Sequence, residues 1–159
     1  MYMESRRSQL FVITYEQTLA NNCSGRIKNF TYRGYLLDKY PGGFKVGGSF
    51  IKMECEVTYE ERDEQHKYLK NIFIRNFVSD ECWRDQGYGS IVMEKMIQHA
   101  KQMGVMYISG FLSFVDIGTG SDEDEEIKRK NRERLYHFYP KFGFVIDKVD
   151  ETIRLDLAN

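Results

Sequence analysis

Apolar and polar residues alternate along much of the first half of the chain, which is the pattern of strands that bury one face. Residues 9–15 place their apolar side chains on one side of an extended chain, and residues 49–59 alternate apolar with charged positions. Residues 27–38 are rich in aromatic and β-branched residues, which favour strands. These three segments are therefore predicted strands, separated by turn-forming residues at 21–25 and 40–43.

Residues 68–78 form the most apolar extended run and predict the strongest strand. Before them, residues 60–67 are almost entirely ionisable, which predicts an exposed hairpin or loop. After a short polar segment, apolar residues in 91–103 recur every three or four positions, as in a helix with one buried stripe. Gly104 is typical of the residue that ends such a helix.

The rest of the chain continues with strands and a second helix. We expect a strand at 105–114, a loop at 116–126, a helix at 127–138 ended by Pro140 and Gly143, and closing strands at 144–149 and 152–157. This order predicts an α/β fold of the α+β type. Its central sheet should have mixed strand directions, with helices on both faces. At 159 residues, the chain is expected to form a single domain, 1–159.

Composition narrows the classes of partner. The net charge of −1 gives no general attraction to nucleic acid or to an anionic membrane, so neither is an expected partner. No run approaches the roughly 18 apolar residues of a membrane span, and residues 1–7 lack the apolar core of a signal peptide. Cys23, Cys55 and Cys82 are far apart with no CxxC pair, which predicts a reducing cytoplasm and no metal site.

The candidate chemistry lies in residues 84–90, between the strand at 68–78 and the helix at 91–103. The first turn of a helix has backbone N–H groups without intrahelical partners, and the helix dipole adds positive potential there. Gly87 and Gly89 let the main chain approach an anion without a Cβ in the way. This arrangement predicts a site for the phosphates of a nucleotide-bearing cofactor.

Two common phosphate-binding motifs are excluded by single residues. A phosphate-binding NTPase loop requires a lysine after its last glycine, whereas Gly89 is followed by Ser90. A dinucleotide fold requires a third glycine and a turn near the start of the domain, whereas Val92 holds the third position and the turn lies past mid-chain. A third kind of glycine turn remains.

Residues 84–89, Arg-Asp-Gln-Gly-Tyr-Gly, resemble the R/Q-x-x-G-x-G/A signature of the Gcn5-related N-acetyltransferases. Residues 138–144, Phe-Tyr-Pro-Lys-Phe-Gly-Phe, are similar to the C-terminal segment of that family. Pro140 departs from the commoner glutamate or lysine. The resemblance covers roughly residues 44–157, since the two early helices usual in the family are not evident. It implies a mixed, mostly antiparallel central sheet with helices on both faces.

The resemblance implies that acetyl-CoA binds at the glycine turn. The main chain of Phe77 and Val78 would bond the pantetheine arm, and Asn131 would contact it from the last helix. Arg84 is either a phosphate ligand or a solvated cation of the loop. The backbone amides that would hold the pyrophosphate belong to Gln86, Gly87, Tyr88, Gly89 and Ser90.

For the chemistry itself, the resemblance implies that Tyr139 is the general acid that protonates the leaving thiolate, with Tyr136 as the alternative. The strand before the turn has no carboxylate at 72–74, where some members place the general base. Asp116 is the preferred candidate for the base, since it follows a strand expected to border the acceptor groove. Other candidates for the base are Glu54, Glu56, Asp80 and Glu81; each of the five also suits a solvated charge, and water can take the proton.

The predicted function is therefore an acetyl-CoA-dependent N-acetyltransferase that transfers the acetyl group directly to a primary amine. The acceptor is a small molecule, a protein lysine or an N-terminal amine, and the sequence does not distinguish them. The alternative is a catalytically inactive module of the same fold that binds acyl-CoA or another protein.

Three further features carry separate expectations. Trp83 is expected to anchor the core or to stack near the cofactor. The acidic residues 122–126 are more typical of an exposed loop than of a site that attracts a cationic acceptor. An exposed strand edge could pair two copies in a homodimer.

Overall fold

The computed structural model describes residues 9–20, 26–61, 68–112 and 125–157. Within them, eight strands form one sheet, accompanied by two α-helices and two short 3-10 helices. The strands are β1 (Gln9–Leu19), β2 (Ile27–Tyr40), β3 (Gly43–Val46), β4 (Ile51–Glu61), β5 (Tyr68–Ser79), β6 (Val105–Phe111), β7 (Val145–Asp147) and β8 (Thr152–Asp156). The α-helices are α1 (Tyr88–Gln102) and α2 (Glu125–Phe138), and the 3-10 helices are Glu81–Trp83 and Tyr139–Phe142. None of these helices is long and apolar enough to cross a membrane.

The strands lie in the order β1-β2-β4-β5-β6-β8-β7, with β3 paired to β2. Every pair is antiparallel except β5 and β6, which are parallel and are joined through α1. A parallel pair needs such a crossover because its strands cannot be joined by a tight hairpin. The predicted mixed, mostly antiparallel sheet is therefore confirmed.

Several element boundaries differ from those expected. Helix α1 begins at Tyr88 rather than at residue 91, because Gly87 adopts a left-handed φ of 85° and lets the helix start directly after the turn. The last strand pair is shorter than predicted, since β7 ends at Asp147 and residues 148–151 form a turn. The side chain of Asp147 accepts hydrogen bonds from the backbone N–H groups of Val149 and Asp150, which stabilises this turn.

The core lies on one face of the sheet. A row of paired residues crosses this face from β2 to β8, through Phe30, Cys55, Ile74, Gly110 and Ile153. All five are buried. Helix α1 covers the row with its predicted apolar stripe, of which Val92, Met93, Met96 and Ala100 are fully buried.

Helix α2 packs on the same face, because its Phe138 ring contacts Phe77 of β5 at a centroid distance of 5.9 Å. The two described helices therefore share one face, whereas the order of elements led us to expect helices on both. The opposite face carries charged side chains in β4, and Lys52 and Glu54 form an ion pair there at 2.6 Å. Because β1 and β2 are joined by residues 20–26 alone, there is too little chain between them for a helix pair.

His99 of α1 packs against the aromatic side chains of β1 and β2. Nδ1 of His99 lies 2.7 Å from the hydroxyl of Tyr32 and shares a hydrogen bond with it. The rings of Tyr15 and Phe30 face the imidazole at 4.8 and 5.8 Å. Burial lowers the pKa of His99 below its ordinary value of 6.5 and raises the pKa of Tyr32.

The lowered pKa of His99 means that, below pH 6.5, the unfolded chain binds a proton that the folded chain resists. We therefore expect the free energy of unfolding to be fully retained above pH 6.5 and to fall as the pH drops below it. Urea unfolding on either side of pH 6.5 measures this, and His99→Gln should flatten the dependence. A pH dependence in His99→Gln as steep as that of the wild type would contradict this prediction.

Candidate functional site

The glycine turn opens the amino end of α1 toward solvent. Gly87 is the N-cap residue with φ 85° and ψ −8°, and no side chain caps the helix there. A Cβ at Gly87 would meet nothing within 4 Å, so the glycine is required by its backbone angle rather than by crowding. The first-turn N–H groups of Tyr88, Gly89 and Ser90 have no intrahelical acceptor. They form the positive end of a helix dipole, which suits an anion.

A cavity of about 370 Å³ adjoins this turn. The two sequence motifs, although some 50 residues apart along the chain, meet at this cavity. An added Cβ at Gly89 would lie 3.6 Å from the Phe138 ring and 3.7 Å from the Phe77 ring. The predicted site residues that line the cavity are Phe77, Val78, Arg84, Gly87, Gly89, Ser90 and Tyr139.

Strand β5 borders the cavity with an edge that lacks a strand partner among the described residues. Its pairing with β6 ends at Ile74 opposite Gly110, whereas its pairing with β4 continues to Ser79. In the pairing of β5 with β4, Arg75 is an extra residue, which marks a β-bulge. The bulge lies directly after Ile74, where β5 begins to diverge from β6. Backbone N–H and C=O groups on this edge of β5 can therefore bond an extended ligand.

Gly110 permits the close approach that precedes this divergence. A Cβ at Gly110 would lie 3.0 Å from the carbonyl oxygen of Ile74 and 3.2 Å from its Cβ. Such a contact is tighter than side chains ordinarily make, so a larger residue would push β6 away from β5 at the split. The geometry of the open edge therefore depends on a glycine that sequence reasoning did not single out.

Cationic side chains predominate over anionic ones in the cavity lining. Arg84, Arg134 and Lys141 line it, and Asp85 is the one carboxylate among the described lining residues. Nε of Arg84 donates to the carbonyl oxygen of Ser79 at 3.3 Å, which holds the guanidinium beside the turn. The positive side chains and the amino end of α1 together favour a polyanion.

Neither Arg134 nor Lys141 was among the predicted site residues, although Arg134 belongs to the basic segment 128–134, which from the sequence could face either the phosphates of coenzyme A or water. Lys141 belongs to the second motif, but its position in that motif carried no functional expectation. Arg134 precedes Phe138 by one helical turn, so it lies on the same side of α2 as a residue that contacts the glycine turn. The four-residue spacing of Arg134 and Phe138 could have indicated that Arg134 lines the cavity. That inference would also have required knowing which face of α2 meets the cavity.

Tyr139 is buried at the cavity wall, where aromatic rings pack against it. It is 2% exposed and begins the 3-10 helix Tyr139–Phe142. Its ring packs at 5.3 Å from the Phe138 ring and 5.5 Å from the Phe144 ring. Gly143 ends the 3-10 helix in a left-handed conformation, with φ 87°, and turns the chain toward β7. The alternative candidate, Tyr136, lies under the ammonium of Lys148 at 5.0 Å and does not line the cavity.

Other predicted residues have different surroundings. The side chain of Gln86 donates to the carbonyl oxygen of Cys82 at 2.9 Å. The ring of Tyr88 packs against Phe11 at 4.8 Å, so this residue can offer only its backbone to a ligand. Asn131 is half-buried on α2 and does not line the cavity, and Asp116 lies outside the described residues.

None of the other candidate bases lines the cavity. Glu54 lies on the opposite face of the sheet, where its hydrogen bond from Lys52 holds its carboxyl pKa below the usual range. A carboxylate with a lowered pKa is a weaker base. Glu56 pairs with Arg75 at 3.3 Å, and neither these residues nor Asp80 and Glu81 line the cavity. In the described part of the chain, no group of three or more His, Cys, Asp or Glu side chains could hold a metal ion.

Comparison with solved structures identifies the fold. A chain of the NatC complex bound to Gag peptide and CoA matches at 14% identity with a TM-score of 0.51, over 80% of this chain and 71% of that one. The tetramutant of the BH1408 protein from Bacillus halodurans matches at 16% identity with a TM-score of 0.49, over 76% of this chain and 62% of that one. A chain of AtaTR bound with AcCoA matches at 11% identity with a TM-score of 0.45, over 80% of this chain and 67% of that one.

The NatC match and the mixed sheet show that the chain has a Gcn5-related N-acetyltransferase-like fold. No family model matches the sequence, and no curated protein matches it. Identities of this size establish the architecture, whereas function must be argued from the site.

Proposed function

We propose that this protein is an acetyl-CoA-dependent N-acetyltransferase that transfers the acetyl group directly to a primary amine. The observation that carries the proposal is the meeting of the glycine turn and the 138–144 segment around one cavity. Each motif alone is short and recurs by chance. A fold that brings both to the same cavity supports the reading that both contact one ligand.

The chemistry of the cavity fits coenzyme A. The molecule carries a pyrophosphate and a 3′-phosphate, and the site offers the N–H groups of the first turn of α1 together with three cations. Backbone N–H groups at a helix start bind phosphate oxygens well, and Gly89 leaves room for them. Arg84, Arg134 and Lys141 supply positive charge for the remaining phosphate oxygens. Among the described lining residues Asp85 is the one carboxylate, so they present little repulsion to such a ligand.

The pantetheine arm is amide-bearing and extended, and the open edge of β5 suits it. Backbone groups of β5 beyond Ile74 lack a β6 partner among the described residues, so they can bond the arm as an added strand would. Phe77 and Val78 lie on this segment and line the cavity. The arm would then lead from the glycine turn toward the divergence of β5 and β6.

The transfer itself requires two proton movements. The nitrogen of a neutral amine forms the new bond to the acetyl carbonyl carbon while the carbon–sulfur bond breaks. The departing thiolate takes a proton from the hydroxyl of Tyr139, and solvent later restores that proton. The amine loses its own proton to water, in keeping with a lining that has no carboxylate besides Asp85 among the described residues.

The acceptor class and the compartment belong to this proposal as well. The acceptor is a primary amine, on either a small molecule or a peptide, and the NatC complex, whose chain has this fold, is bound to Gag peptide and CoA together. Cys55 and Cys82 are free thiols, which fits the reducing cytoplasm that we propose as the compartment.

The test is release of free thiol from acetyl-CoA across a panel of small amines, lysine-containing peptides and peptide N-termini. We expect thiol release to depend on both acetyl-CoA and at least one amine, with the acetyl group recovered on the amine by mass spectrometry. Binding of acetyl-CoA without turnover on any amine would instead favour the inactive acyl-CoA-binding module. That second candidate is supported by the lack of a base beside Tyr139 in the described part of the site.

A further inference from the structure

The outer edge of β1 is a long strand edge with no strand paired to it among the described residues. β1 is the end strand of the sheet and contains 11 residues, so it extends for about 36 Å at roughly 3.3 Å per residue. Its inner edge pairs with β2 in regular register until a shift between Thr18 and Leu19. Backbone N–H and C=O groups on the outer edge therefore point away from the sheet in a regular row.

Strand edges in monomeric proteins are usually protected against pairing with another chain. The edge of this sheet formed by β7 is protected in this way. There β7 is only three residues long and ends in the turn stabilised by Asp147. From Gln9 to Thr18, β1 carries no such protection in its own sequence, since it contains no proline or lysine and a single charged residue, Glu16. Its exposed apolar residues are Leu10 at 43%, Tyr15 at 38% and Leu19 at 49%. An edge of this kind is a template for another strand.

We propose that β1 pairs with β1 of a second copy of this chain in an antiparallel, two-fold symmetric dimer. A two-fold axis normal to the sheet keeps the helix-bearing faces of both copies on the same side. Phe11, Ile13 and Tyr15 then meet the same residues of the second copy, because all three lie on the face that packs against α1. Val12 and Thr14 likewise meet their counterparts on the other face.

Charge selects the antiparallel arrangement. Two parallel copies in register would place one Glu16 directly beside the other, which is unfavourable for like charges on neighbouring strands. An antiparallel pair with its axis near Ile13 or Thr14 separates the two carboxylates. Each Glu16 also lies near Arg33 of its own β2, at 4.0 Å, which further offsets its charge.

The dimer leaves both candidate sites accessible. β2 and β4 separate β1 from β5, which borders the cavity. The interface uses backbone groups of the edge and does not require any residue of the cavity lining. This inference is therefore independent of the proposed function, and either can fail without the other.

Light scattering coupled to size-exclusion chromatography tests the dimer. We expect the wild type to have twice the 18.8 kDa mass of one chain, falling toward one chain on dilution. Thr14→Glu places a carboxylate opposite Arg33 within the monomer, but it brings the two introduced carboxylates close together across the two-fold axis, so it should shift the dissociation constant upward by at least about tenfold, or 1.4 kcal/mol. Val145→Glu is the matched control, since it places a glutamate opposite Arg154 on the other edge strand and should leave the dimer intact.

Hydrogen exchange of the wild type provides a measurement that does not depend on how a variant folds. Outward-facing amides of β1 should exchange more slowly at high protein concentration than at low concentration, while amides of β7 should not change. A mass of one chain at every concentration would overturn the proposal. So would an assembly larger than two copies, a dimer unaffected by Thr14→Glu, or exchange in β1 that does not depend on concentration.

Discussion

Replacing Gly89 with glutamate is expected to weaken acetyl-CoA binding severely. An added Cβ at this position has ordinary contacts of 3.6 Å and longer, so the helix can accept the residue. The carboxylate, however, would enter the space beside the first-turn N–H groups, where the pyrophosphate is proposed to bind. Steric overlap and repulsion between anions should weaken binding by at least about 100-fold, or 2.7 kcal/mol. Calorimetric titration with acetyl-CoA measures this directly.

Stability should not explain the loss in Gly89→Glu, because glutamate in the first turn of a helix interacts favourably with the helix dipole. Thermal unfolding of the variant is therefore expected to match that of the wild type. Gly48→Glu is the matched control, since Gly48 is exposed, has nothing within 4 Å of an added Cβ and does not line the cavity. Undiminished binding by Gly89→Glu, or no binding by the wild type, would contradict a phosphate site at this turn.

Removing the hydroxyl of Tyr139 is expected to lower kcat by about 100-fold, which is the contribution usual for a positioned acid. The ring is 2% exposed and packs between Phe138 and Phe144, so phenylalanine should keep its position. KM for acetyl-CoA should change little, because the phosphates and the pantetheine arm bind elsewhere along the cavity. Steady-state thiol release by Tyr139→Phe, with the best amine of the panel, separates these two constants.

Tyr136→Phe is the control for this prediction, because Tyr136 lies three residues earlier and does not line the cavity. Its kcat should remain within about twofold of the wild type. If Tyr136→Phe loses activity while Tyr139→Phe retains it, the acid has been assigned to the wrong tyrosine. A more reactive thioester with a better leaving thiolate should also narrow the deficit of Tyr139→Phe, which a purely structural defect would not do.

Much of the fold could be predicted because its signals are local. The alternation in 49–59 matches β4, whose residues Met53, Cys55 and Val57 are buried on one face. The three- and four-residue spacing after Gly89 matches α1 and its buried methionines. Element ends were less accurate where a single backbone angle decides them, as at Gly87, since side-chain periodicity does not report that angle.

The candidate site could be predicted in part for the same reason. Gly87, Gly89 and Ser90 were recognised because a strand, a glycine turn and a helix follow each other directly in the chain. The position of a candidate base relative to the cavity could not be predicted, since a carboxylate near a strand end can lie on either face of a sheet. Glu54 illustrates this, because it lies on the face opposite the cavity, paired with Lys52.

By itself, the sequence determined the strand and helix segments, the glycine turn and the existence of two separated motifs, since each depends on residues close together in the chain. Tertiary structure alone decided that both motifs meet at one cavity and that Arg134 and Lys141 join it. It also decided that, among the described residues, β5 has no β6 partner after Ile74 and the outer edge of β1 has no paired strand. These features arise from strand order, register and helix packing, which bring together residues far apart in the chain and leave little trace in local patterns.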